Sequence, residues 1–551
     1  MQKIWLEEYP AGMPAEIDPD HYPSLKALVE DSLQRYAERN AYVQMGRSLT
    51  YGQIEQQSRA FGAWLQAQGC AKGDRIAIML PNLLQYPIAM FGALRAGLIV
   101  VNTNPLYTTT ELQHQLVDSG ATTIVILENF CHVLEKVLKE TPVKRVIVTG
   151  VGDLLGLPKA AIVNFVVRRV RKQVPAWQIP GAIGINSVLR QGSGLTLQPV
   201  DLHGEDVAFL QYTGGTTGVS KGAMLTHRNL VANVLQARAW HEQVPIANAT
   251  YIIALPLYHI FSLTANCLLY MLVGGYGVLV PNPRDFPAFV SELIKHPPNI
   301  LNGVNTLFNA LMNCSQFPQV DFSRLVATVG GGMAVQAAVA ERWKKLTGCP
   351  LTQGWGLTET SPIACVNKLT PESVFNGSVG LPLPSTEVSI RDDDGQDVGL
   401  EATGEICVRG PQVMRGYWNR DDETAQVMLP DGWLRTGDIG RMDSKGYVFI
   451  EDRKKDMISV SGFKVYPNEV EAVAALHPGV FESAAVAQAD EHSGETVALY
   501  VVLKDPSVTA DDLIAFMRKS LTSYKVPRHI YFRKELPKTN VGKILRRALR
   551  Q

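Results

Sequence analysis

Cysteine is scarce in this sequence, and the few cysteines present are far apart. Seven stand at positions 70, 131, 267, 314, 349, 365 and 407 of 551, and no two form a Cys-x-x-Cys pair. Disulfide frameworks and structural zinc sites both depend on paired or closely spaced cysteines. We therefore expect reduced thiols, as in a cytoplasmic protein, and no zinc site.

The sequence also lacks an excess of charge of either sign. Lys and Arg together number 52, as do Asp and Glu, so the formal net charge is zero. Binding to nucleic acid through bulk charge depends on an excess of basic residues. We therefore expect no nucleic-acid partner. The composition, 46% hydrophobic and 19% charged, is that of a globular chain long enough for more than one domain.

Long hydrophobic runs are few. The N-terminus has no apolar stretch, so we expect no signal peptide. The uncharged run from Ile260 to Pro283 is long enough to span a bilayer. It contains the pair Gly274-Gly275, however, and a helix, a turn and a strand from Tyr276 to Val280 explain it better than a membrane span.

Strands and helices alternate through the first part of the chain. Short apolar stretches predict strands at 72–80, 99–102, 123–127 and 207–212, and apolar residues at helical spacing predict helices at 24–38, 49–65, 83–96 and 111–119. This alternation indicates a parallel α/β sheet. The last hundred residues predict a small α+β domain, with helices at 467–476 and 510–521 and strands near 484–487 and 497–503.

A glycine-rich stretch from Tyr212 to Gly222 lies between two predicted strands. It reads Tyr-Thr-Gly-Gly-Thr-Thr-Gly-Val-Ser-Lys-Gly, and Thr226 is expected to begin the next helix. Glycine lets backbone N–H groups approach an oxyanion, threonine hydroxyls donate hydrogen bonds to phosphate oxygens, and Lys221 adds a positive charge. The order Ser-Lys-Gly differs from the Gly-Lys-Ser/Thr of a Walker A loop. The stretch therefore predicts a phosphate-binding loop of another kind.

This loop resembles that of the adenylate-forming enzymes, which include acyl-CoA synthetases, firefly-luciferase-like proteins and the adenylation domains of peptide synthetases. The resemblance runs from about Leu49 to Arg547, and further motifs follow in the order found in that family. They are Pro256-Leu-Tyr-His259, Gly330-Gly-Gly332, Gly354-Trp-Gly-Leu-Thr-Glu359, Gly432 to Asp438, Arg453-Lys-Lys455 and Pro537-Lys-Thr-Asn-Val-Gly-Lys543. The implied fold is α/β, with a large N-terminal domain of parallel and mixed sheets and a small mobile α+β C-terminal domain.

The resemblance implies which residues would hold ATP. The phosphates would contact Thr213, Gly214, Gly215, Thr216, Thr217, Gly218 and Lys221; adenine would contact Gly331, Gly332, Trp355 and Gly356; the α-phosphate would contact Thr358; and the ribose would contact Asp438 and Arg453. Glu359, together with Thr213, would hold Mg²⁺. Trp355 stands where the family usually has tyrosine, and either ring can stack on a purine.

The resemblance also implies the remaining roles. Lys543 would be the catalytic lysine, acting with Thr358, Glu359 and Lys221. Tyr258, His259 and Gly331 would line the acyl pocket, with the histidine as lining and not as a general base. Lys455 would be the hinge between a large domain, residues 1–451, and a small domain, residues 452–551. Gly462 and Phe463 would line the channel for coenzyme A.

The family reaction implied is the ATP-dependent formation of an acyl-adenylate and its transfer to coenzyme A. Whole-chain similarity is highest to the bacterial long-chain fatty acid–CoA ligases of fatty acid degradation and lipid metabolism. The alternatives are a medium-chain or aryl acid–CoA ligase, a fatty acyl-AMP ligase that serves a carrier protein, and a luciferase-like oxygenase. Outside the enzymes, the alternative is a non-catalytic acyl or nucleotide sensor.

An insertion at 158–173 is apolar in its first half and basic in its second. As a helix it would group Ile162, Phe165, Val166, Arg169 and Lys172. We expect a surface helix packed by its apolar face; the alternative is a segment lying on an anionic membrane, which would make the protein peripheral on the inner face of the cytoplasmic membrane. The resemblance further implies a homodimer formed through the large domain.

Overall fold

Two large sheets contain most of the strands in the computed structural model, which describes residues 3–213, 220–490, 493–539 and 541–550. In the first sheet six neighbouring strands pair in parallel, and the strands at both edges pair antiparallel. Its order is Leu381–Pro382, Ile363–Val366, Leu351–Gly356, Ala327–Gly330, Ile300–Gly303, Thr250–Ile253, Tyr276–Leu279, Asn40–Gln44 and Arg47–Thr50.

The second sheet contains the strands on both sides of the glycine-rich loop. Its order is Gly416–Tyr417, Lys221–Thr226, Val207–Thr213, Ile99–Asn102, Arg75–Met79, Thr123–Leu127, Arg145–Thr149 and Ile183–Gly184. The first two pairings are antiparallel and the others are parallel. Its central strands are buried along nearly their whole length, as the uninterrupted apolar runs predict for a parallel sheet covered on both faces.

Helices cover these sheets, and one of them, Gln85–Arg95, has every residue buried. The helices of this part are Leu25–Arg35, Tyr51–Ala67, Gln85–Arg95, Thr109–Ser119, Cys131–Val137, Lys159–Phe165, Ile185–Ser193, His227–His241, Ile260–Leu263, Leu269–Val273, Phe286–Lys295, Asn305–Met312, Ala337–Thr347 and Asp421–Val427. Thr226 begins its helix as predicted, because its side chain accepts a hydrogen bond from the backbone N–H of Asn229 and the Asn229 side chain accepts one from the backbone N–H of Thr226.

Two smaller sheets complete the fold. One is antiparallel, with strands Glu387–Arg391, Gly404–Arg409, Leu434–Met442 and Val448–Arg453. The other contains Phe463–Val465, Ile458–Val460, Gly494–Leu503, Val480–Asp490 and His529–Phe532, and is covered by helices Pro467–Ala475 and Ala510–Met517. We call the elements from Ile458 to Leu549 the small domain; they have a hydrophobic core of their own. The predicted α/β fold with a small α+β C-terminal domain is thus confirmed.

Two local predictions need correction. Residues 159–170 are helical, with a π-helical turn at Val166–Val170, but Ile162 and Phe165 are 59% and 61% exposed. Val163 and Val167 pack inward instead, so the predicted apolar face is not the packed one. The basic run after Lys543 also predicts a helix, but the structure has only a 3₁₀ turn there, Arg546–Ala548, where Arg546 joins a buried ion-pair cluster described below.

The uncharged run at 260–283 forms the helix, turn and strand that the sequence predicts. Gly274 ends the helical part in the left-handed conformation, and the strand Tyr276–Leu279 follows. Across the ranges that the structure describes, no helix combines the length and the apolarity needed to cross a bilayer.

Candidate functional site

The two strands that flank the glycine-rich loop form an antiparallel hairpin, which places both of its ends together. Thr213 pairs with Lys221 in the register, at the last residue of one strand and the first residue of the next. The predicted phosphate contacts Gly214, Gly215, Thr216, Thr217 and Gly218 lie outside the described residues. Thr213 and Lys221 fix the position from which the loop begins and to which it returns.

Lys221 is paired with Glu423, a residue outside every sequence motif described above. Its ammonium group forms an ion pair with Glu423 and lies 5.2 Å from the ring centre of Tyr417. Arg420 also faces Glu423, at 3.7 Å, and reaches Asp118 at 2.9 Å. The predicted phosphate-binding lysine is therefore paired with a carboxylate.

Glu359 follows the strand Leu351–Gly356 in a short 3₁₀ turn, Thr358–Thr360, and is half-buried. The hydroxyl of Tyr417 donates a 2.7 Å hydrogen bond to its Oε1 atom. The chain can turn this closely because Gly356 has no side chain. A methyl group at that position would collide with the carbonyl oxygen of Pro362. A carboxylate with one oxygen held by a neutral hydroxyl has its second oxygen available for a hard cation.

The groups around Glu359 decide whether this position fits Mg²⁺. Within the described residues no three His, Cys, Asp or Glu side chains are close enough to hold a metal ion. Mg²⁺ in nucleotide sites is commonly held by one or two carboxylates together with the phosphates and water. A single half-buried carboxylate fits that mode of binding, and the fit depends on a phosphate supplying further oxygens.

Asp438 is held from two sides. It is 4% exposed, its Oδ2 atom accepts a 2.8 Å hydrogen bond from the indole N–H of Trp355, and its Oδ1 atom lies 3.3 Å from Nε of Arg453. Asp438 and Arg453 are register partners on neighbouring strands. Trp355, predicted at the adenine, is thus brought together with Asp438 and Arg453, which are predicted at the ribose. The sequence alone does not indicate the hydrogen bond that Trp355 donates.

Lys543 reaches this cluster from the small domain. A methyl group at Gly332, where φ is +76°, would come within 2.8 Å of Cε of Lys543, so the lysine lies directly against the glycine segment. Burial of its ammonium group, with Arg453 nearby, lowers the pKa of Lys543 to about 8, and the charges of Asp438 and Glu359 oppose this effect. A lysine with this pKa is a cation whose proton is weakly held at neutral pH.

Two hydrogen bonds join the small domain to the helix Asn305–Met312 of the large sheet. Thr306 donates to the carbonyl oxygen of Gly542 at 2.8 Å, and Asn309 donates to that of Phe481 at 2.9 Å. Since Gly542 precedes Lys543, the first of these bonds fixes the loop that carries the lysine.

The predicted acyl-pocket residues lie beside the glycine segment. A methyl group at Gly331 would be 3.1 Å from the ring of Phe261, which closely follows Tyr258 and His259. Nδ1 of His259 accepts a hydrogen bond from the backbone N–H of Phe261 at 3.3 Å. Burial and the charge of Lys543 lower the pKa of His259 to about 3, so its imidazole is neutral at physiological pH and a weak base.

The predicted hinge adjoins a cluster of buried charges. Arg546 contacts Asp452 and Glu471, each at 2.9 Å, and Arg550 donates to the carbonyl oxygen of Lys455 at 3.2 Å. Asp452 is 1% exposed. The chain segment that follows Lys543 is therefore anchored both to the predicted hinge and to the helix Pro467–Ala475 of the small domain.

The two residues predicted for the coenzyme A channel are not joined to the site. Phe463 is 58% exposed and stacks on Tyr524 of the same domain, with ring centres 4.9 Å apart. A methyl group at Gly462 would meet no atom within 4 Å. In this arrangement both residues lie on the surface of the small domain.

A cavity of about 260 Å³ adjoins Glu359. Tyr417, Thr436, Gly437 and Lys454 also line it. Thr436 and Gly437, which lead to Asp438, therefore line the same cavity as Glu359, the predicted metal ligand.

Comparison with known proteins identifies the family. Residues 29–418 match the family model described as AMP-binding enzyme, and residues 469–543 match AMP-binding enzyme C-terminal domain. Curated relatives named long-chain-fatty-acid–CoA ligase are 54% identical in Salmonella typhimurium, 50% in Haemophilus influenzae and 38% in Bacillus subtilis, each covering 100% of this chain and 98% of the relative.

Solved structures show the same fold. The anthranilate CoA ligase AuaEII in complex with anthranoyl-AMP has a TM-score of 0.85 at 24% identity, covering 97% of this chain and 98% of that one. ATP-bound MatB from Rhodopseudomonas palustris has a TM-score of 0.82 at 24% identity, covering 96% and 98%. Both likenesses concern the fold alone. The two family matches, together with relatives 38–54% identical over the whole chain, show that the chain belongs to the AMP-binding enzyme family.

Proposed function

We propose that this protein converts a long-chain fatty acid and ATP into an acyl-adenylate and then into acyl-CoA, releasing pyrophosphate and AMP. The observation that carries the proposal is Lys543, a lysine from the small domain held against Gly332 beside Asp438 and Glu359. A nucleotide sensor has no need for such a cation. The chain length of the acid follows the name shared by relatives that are 38–54% identical over their whole length.

In the first step a carboxylate oxygen of the acid bonds to the α-phosphorus of ATP, and the bond from that phosphorus to pyrophosphate breaks. Two anions must approach each other, so positive groups at fixed positions lower the barrier. Lys543 supplies such a group, Thr358 donates to the α-phosphate, and Lys221 with the glycine-rich loop, including Thr213, holds the outer phosphates. His259, with its pKa of about 3, lines the acyl pocket with Tyr258 and takes no proton.

Mg²⁺ bound at Glu359, with help from Thr213, would neutralise part of the phosphate charge. Tyr417 holds one oxygen of the Glu359 carboxylate through its 2.7 Å hydrogen bond, so the other oxygen would serve the metal. Asp438 and Arg453 hold the ribose, and Gly331, Gly332, Trp355 and Gly356 form the adenine surface.

In the second step the thiol of coenzyme A attacks the acyl carbon and AMP leaves. We propose that the small domain rotates about Lys455, within the predicted C-terminal domain of residues 452–551, which withdraws Lys543 and turns Gly462 and Phe463 toward the site. The exposure of Phe463 supports this role, since a residue serving the second step would be outside the site in the first. The cross-domain hydrogen bonds from Thr306 and Asn309 would break in this rotation.

The experiment that tests the function is AMP release in the presence of ATP, Mg²⁺ and coenzyme A, across saturated acids from acetate to stearate and benzoate. Turnover that needs coenzyme A and is fastest with the longest acids is expected. Pyrophosphate release without need for coenzyme A would support a fatty acyl-AMP ligase instead, and a preference for short or aryl acids would support the other ligases.

The role of Lys543 is tested by separating the two steps. We expect Lys543→Ala to abolish adenylation while leaving thioester formation from supplied acyl-adenylate nearly intact. Lys534→Ala is the matched control, because Lys534 is an exposed lysine of the same domain. Equal loss of both half-reactions in Lys543→Ala would contradict the assignment.

We also propose that the segment at 158–173 contacts an anionic membrane surface. Ile162, Phe165 and Val170 are 59%, 61% and 64% exposed, as is the adjoining Leu157 at 86%, and basic side chains lie on both sides of Val170. An exposed apolar group next to basic residues is typical of a segment that lies in the headgroup region.

Vesicle flotation tests this contact. The charge variant changes Arg169, Arg171 and Lys172 to serine but keeps Arg168, whose guanidinium pairs with the buried Glu128 at 2.8 Å. We expect the intact protein to float with phosphatidylglycerol vesicles and the variant to remain at the bottom. Equal flotation of both proteins would remove the proposal. Sedimentation equilibrium in the absence of lipid tests the homodimer that the family resemblance implies.

A further inference from the structure

We infer that Trp355 is a positioning residue that turns the Asp438 carboxylate toward the two ribose hydroxyls and so gives the enzyme its preference for ribonucleotides. This inference rests on the ribose role of Asp438 in the proposed function. It goes beyond that role because the family position is expected only to stack on adenine.

Trp355 is held firmly enough to orient a partner. It lies on the strand Leu351–Gly356, is 8% exposed and pairs in register with Cys365 of the neighbouring strand. Its ring belongs to the main hydrophobic core. The indole N–H therefore points in a direction fixed by core packing, and the hydrogen bond that it donates at 2.8 Å fixes Oδ2 of Asp438.

Without that hydrogen bond, Asp438 has a competing partner. Nε of Arg453 lies 3.3 Å from Oδ1, and the Arg453 side chain is 44% exposed, so it can follow the carboxylate. An ionised carboxylate offers about four lone-pair positions. Trp355 occupies one of them on Oδ2, and the charge of Arg453 lies beside Oδ1, so each oxygen keeps a position for a ribose hydroxyl only while the carboxylate keeps this rotation.

The nitrogen donor is a property of this chain. Tyrosine is the usual residue at the matching position of the family, and its hydroxyl extends from the end of a six-membered ring, whereas the indole N–H projects from the side of the five-membered ring. Both rings can stack on a purine. Only the indole brings an N–H to Oδ2 of Asp438 from this backbone position while the ring stays in the core.

The test compares ATP with 2′,3′-dideoxyATP in the adenylation half-reaction. Trp355→Phe keeps an aromatic ring and removes the donor. Because hydrogen bonds to a carboxylate are strong, we expect the ratio of kcat/KM for the two nucleotides to fall about 10- to 100-fold. Any change in adenine stacking affects both nucleotides alike, so the ratio reports on the ribose hydroxyls alone, and the KM for the fatty acid stays near its wild-type value. An unchanged nucleotide ratio would overturn the inference.

Two controls separate the possible failures. Trp343→Phe removes another buried indole N–H, which donates to Thr328 at 3.3 Å in the same sheet, and should leave the nucleotide ratio unchanged. Asp438→Asn tests the ribose role itself. If that variant keeps the wild-type preference for ATP, the ribose assignment in the proposed function is wrong; if it loses the preference while Trp355→Phe keeps it, only the positioning role is wrong.

A second measurement does not depend on the folding of a Trp355 variant. In protein labelled with ¹⁵N at the tryptophan indole nitrogens, Asp438→Asn replaces a charged acceptor by a neutral one. We expect one of the eight indole N–H resonances to move strongly upfield. If all eight resonances keep their positions, the hydrogen bond is absent in solution and the inference falls.

Discussion

The pKa of Lys543 gives the sharpest prediction, because it links pH to a single catalytic group. Burial lowers this pKa from the ordinary 10.5 to about 8. The difference corresponds to about 3 kcal/mol, the free energy by which the position against Gly332 disfavours the charged form of the lysine. Because the pKa is lowered in that position, the cost is fully present below pH about 8, and the position becomes more stable as pH rises toward the ordinary value.

Activity should show the opposite dependence, because adenylation needs the charged lysine. We expect kcat/KM for ATP, measured by pyrophosphate release with a fatty acid, to fall about tenfold per pH unit above pH about 8. In the complex with ATP the phosphates favour the ammonium form, so the fall in kcat should occur at higher pH than the fall in kcat/KM.

Two variants isolate the group responsible. In Lys543→Arg the guanidinium stays charged throughout, so the residual activity should show no fall above pH about 8. In Arg453→Gln a neighbouring positive charge is removed, so the fall should move to higher pH. If wild-type kcat/KM stays constant to pH about 9.5, or if Lys543→Arg keeps the wild-type profile, the ionisation of Lys543 does not set the pH dependence of adenylation.

Three further predictions concern the hinge, the phosphate site and stability. Lys455→Pro should slow thioester formation from supplied acyl-adenylate more than it slows adenylation, and equal slowing would count against rotation about this residue. Glu423→Gln should lower the KM for ATP about 2- to 5-fold, since Lys221 no longer has to leave an ion pair; a raised KM would mean that the pair orients the lysine. Arg546→Met leaves two buried carboxylates unpaired and should destabilise the small domain by about 3–5 kcal/mol in urea unfolding, and a change under about 1 kcal/mol would contradict the cost assigned to that cluster.

Much of the fold is predictable because its signals are local. The apolar run at 123–127 forms a buried parallel strand, and Thr226 caps its helix through residues within three positions of it. The face on which the 159–170 helix packs was not predictable. The helix carries apolar side chains on more than one face, among them Ile162, Phe165, Val163 and Val167. Which of these faces is covered depends on the elements packed against the helix.

The site divides in the same way. Residues within continuous motifs, such as Trp355, Glu359, Asp438 and Lys543, were identified from the sequence, although their roles stay predictions. The partners of those residues were not identified. Tyr417 meets Glu359 across 58 positions of sequence, and Glu423 meets Lys221 across a still greater separation. A lone Tyr or Glu in a polar stretch gives no signal of the partner that the fold brings to it.

The hydrogen bonds that Thr306 and Asn309 donate to the small domain have a consequence for exchanging parts between relatives. In both, the helix Asn305–Met312 provides the side chain, and the small domain provides only a backbone carbonyl oxygen, at Gly542 and Phe481. Every amino acid carries that oxygen. A small domain transplanted from a distant member of the family would therefore still find both donors in place, whatever its own side chains, provided that its backbone follows the same path.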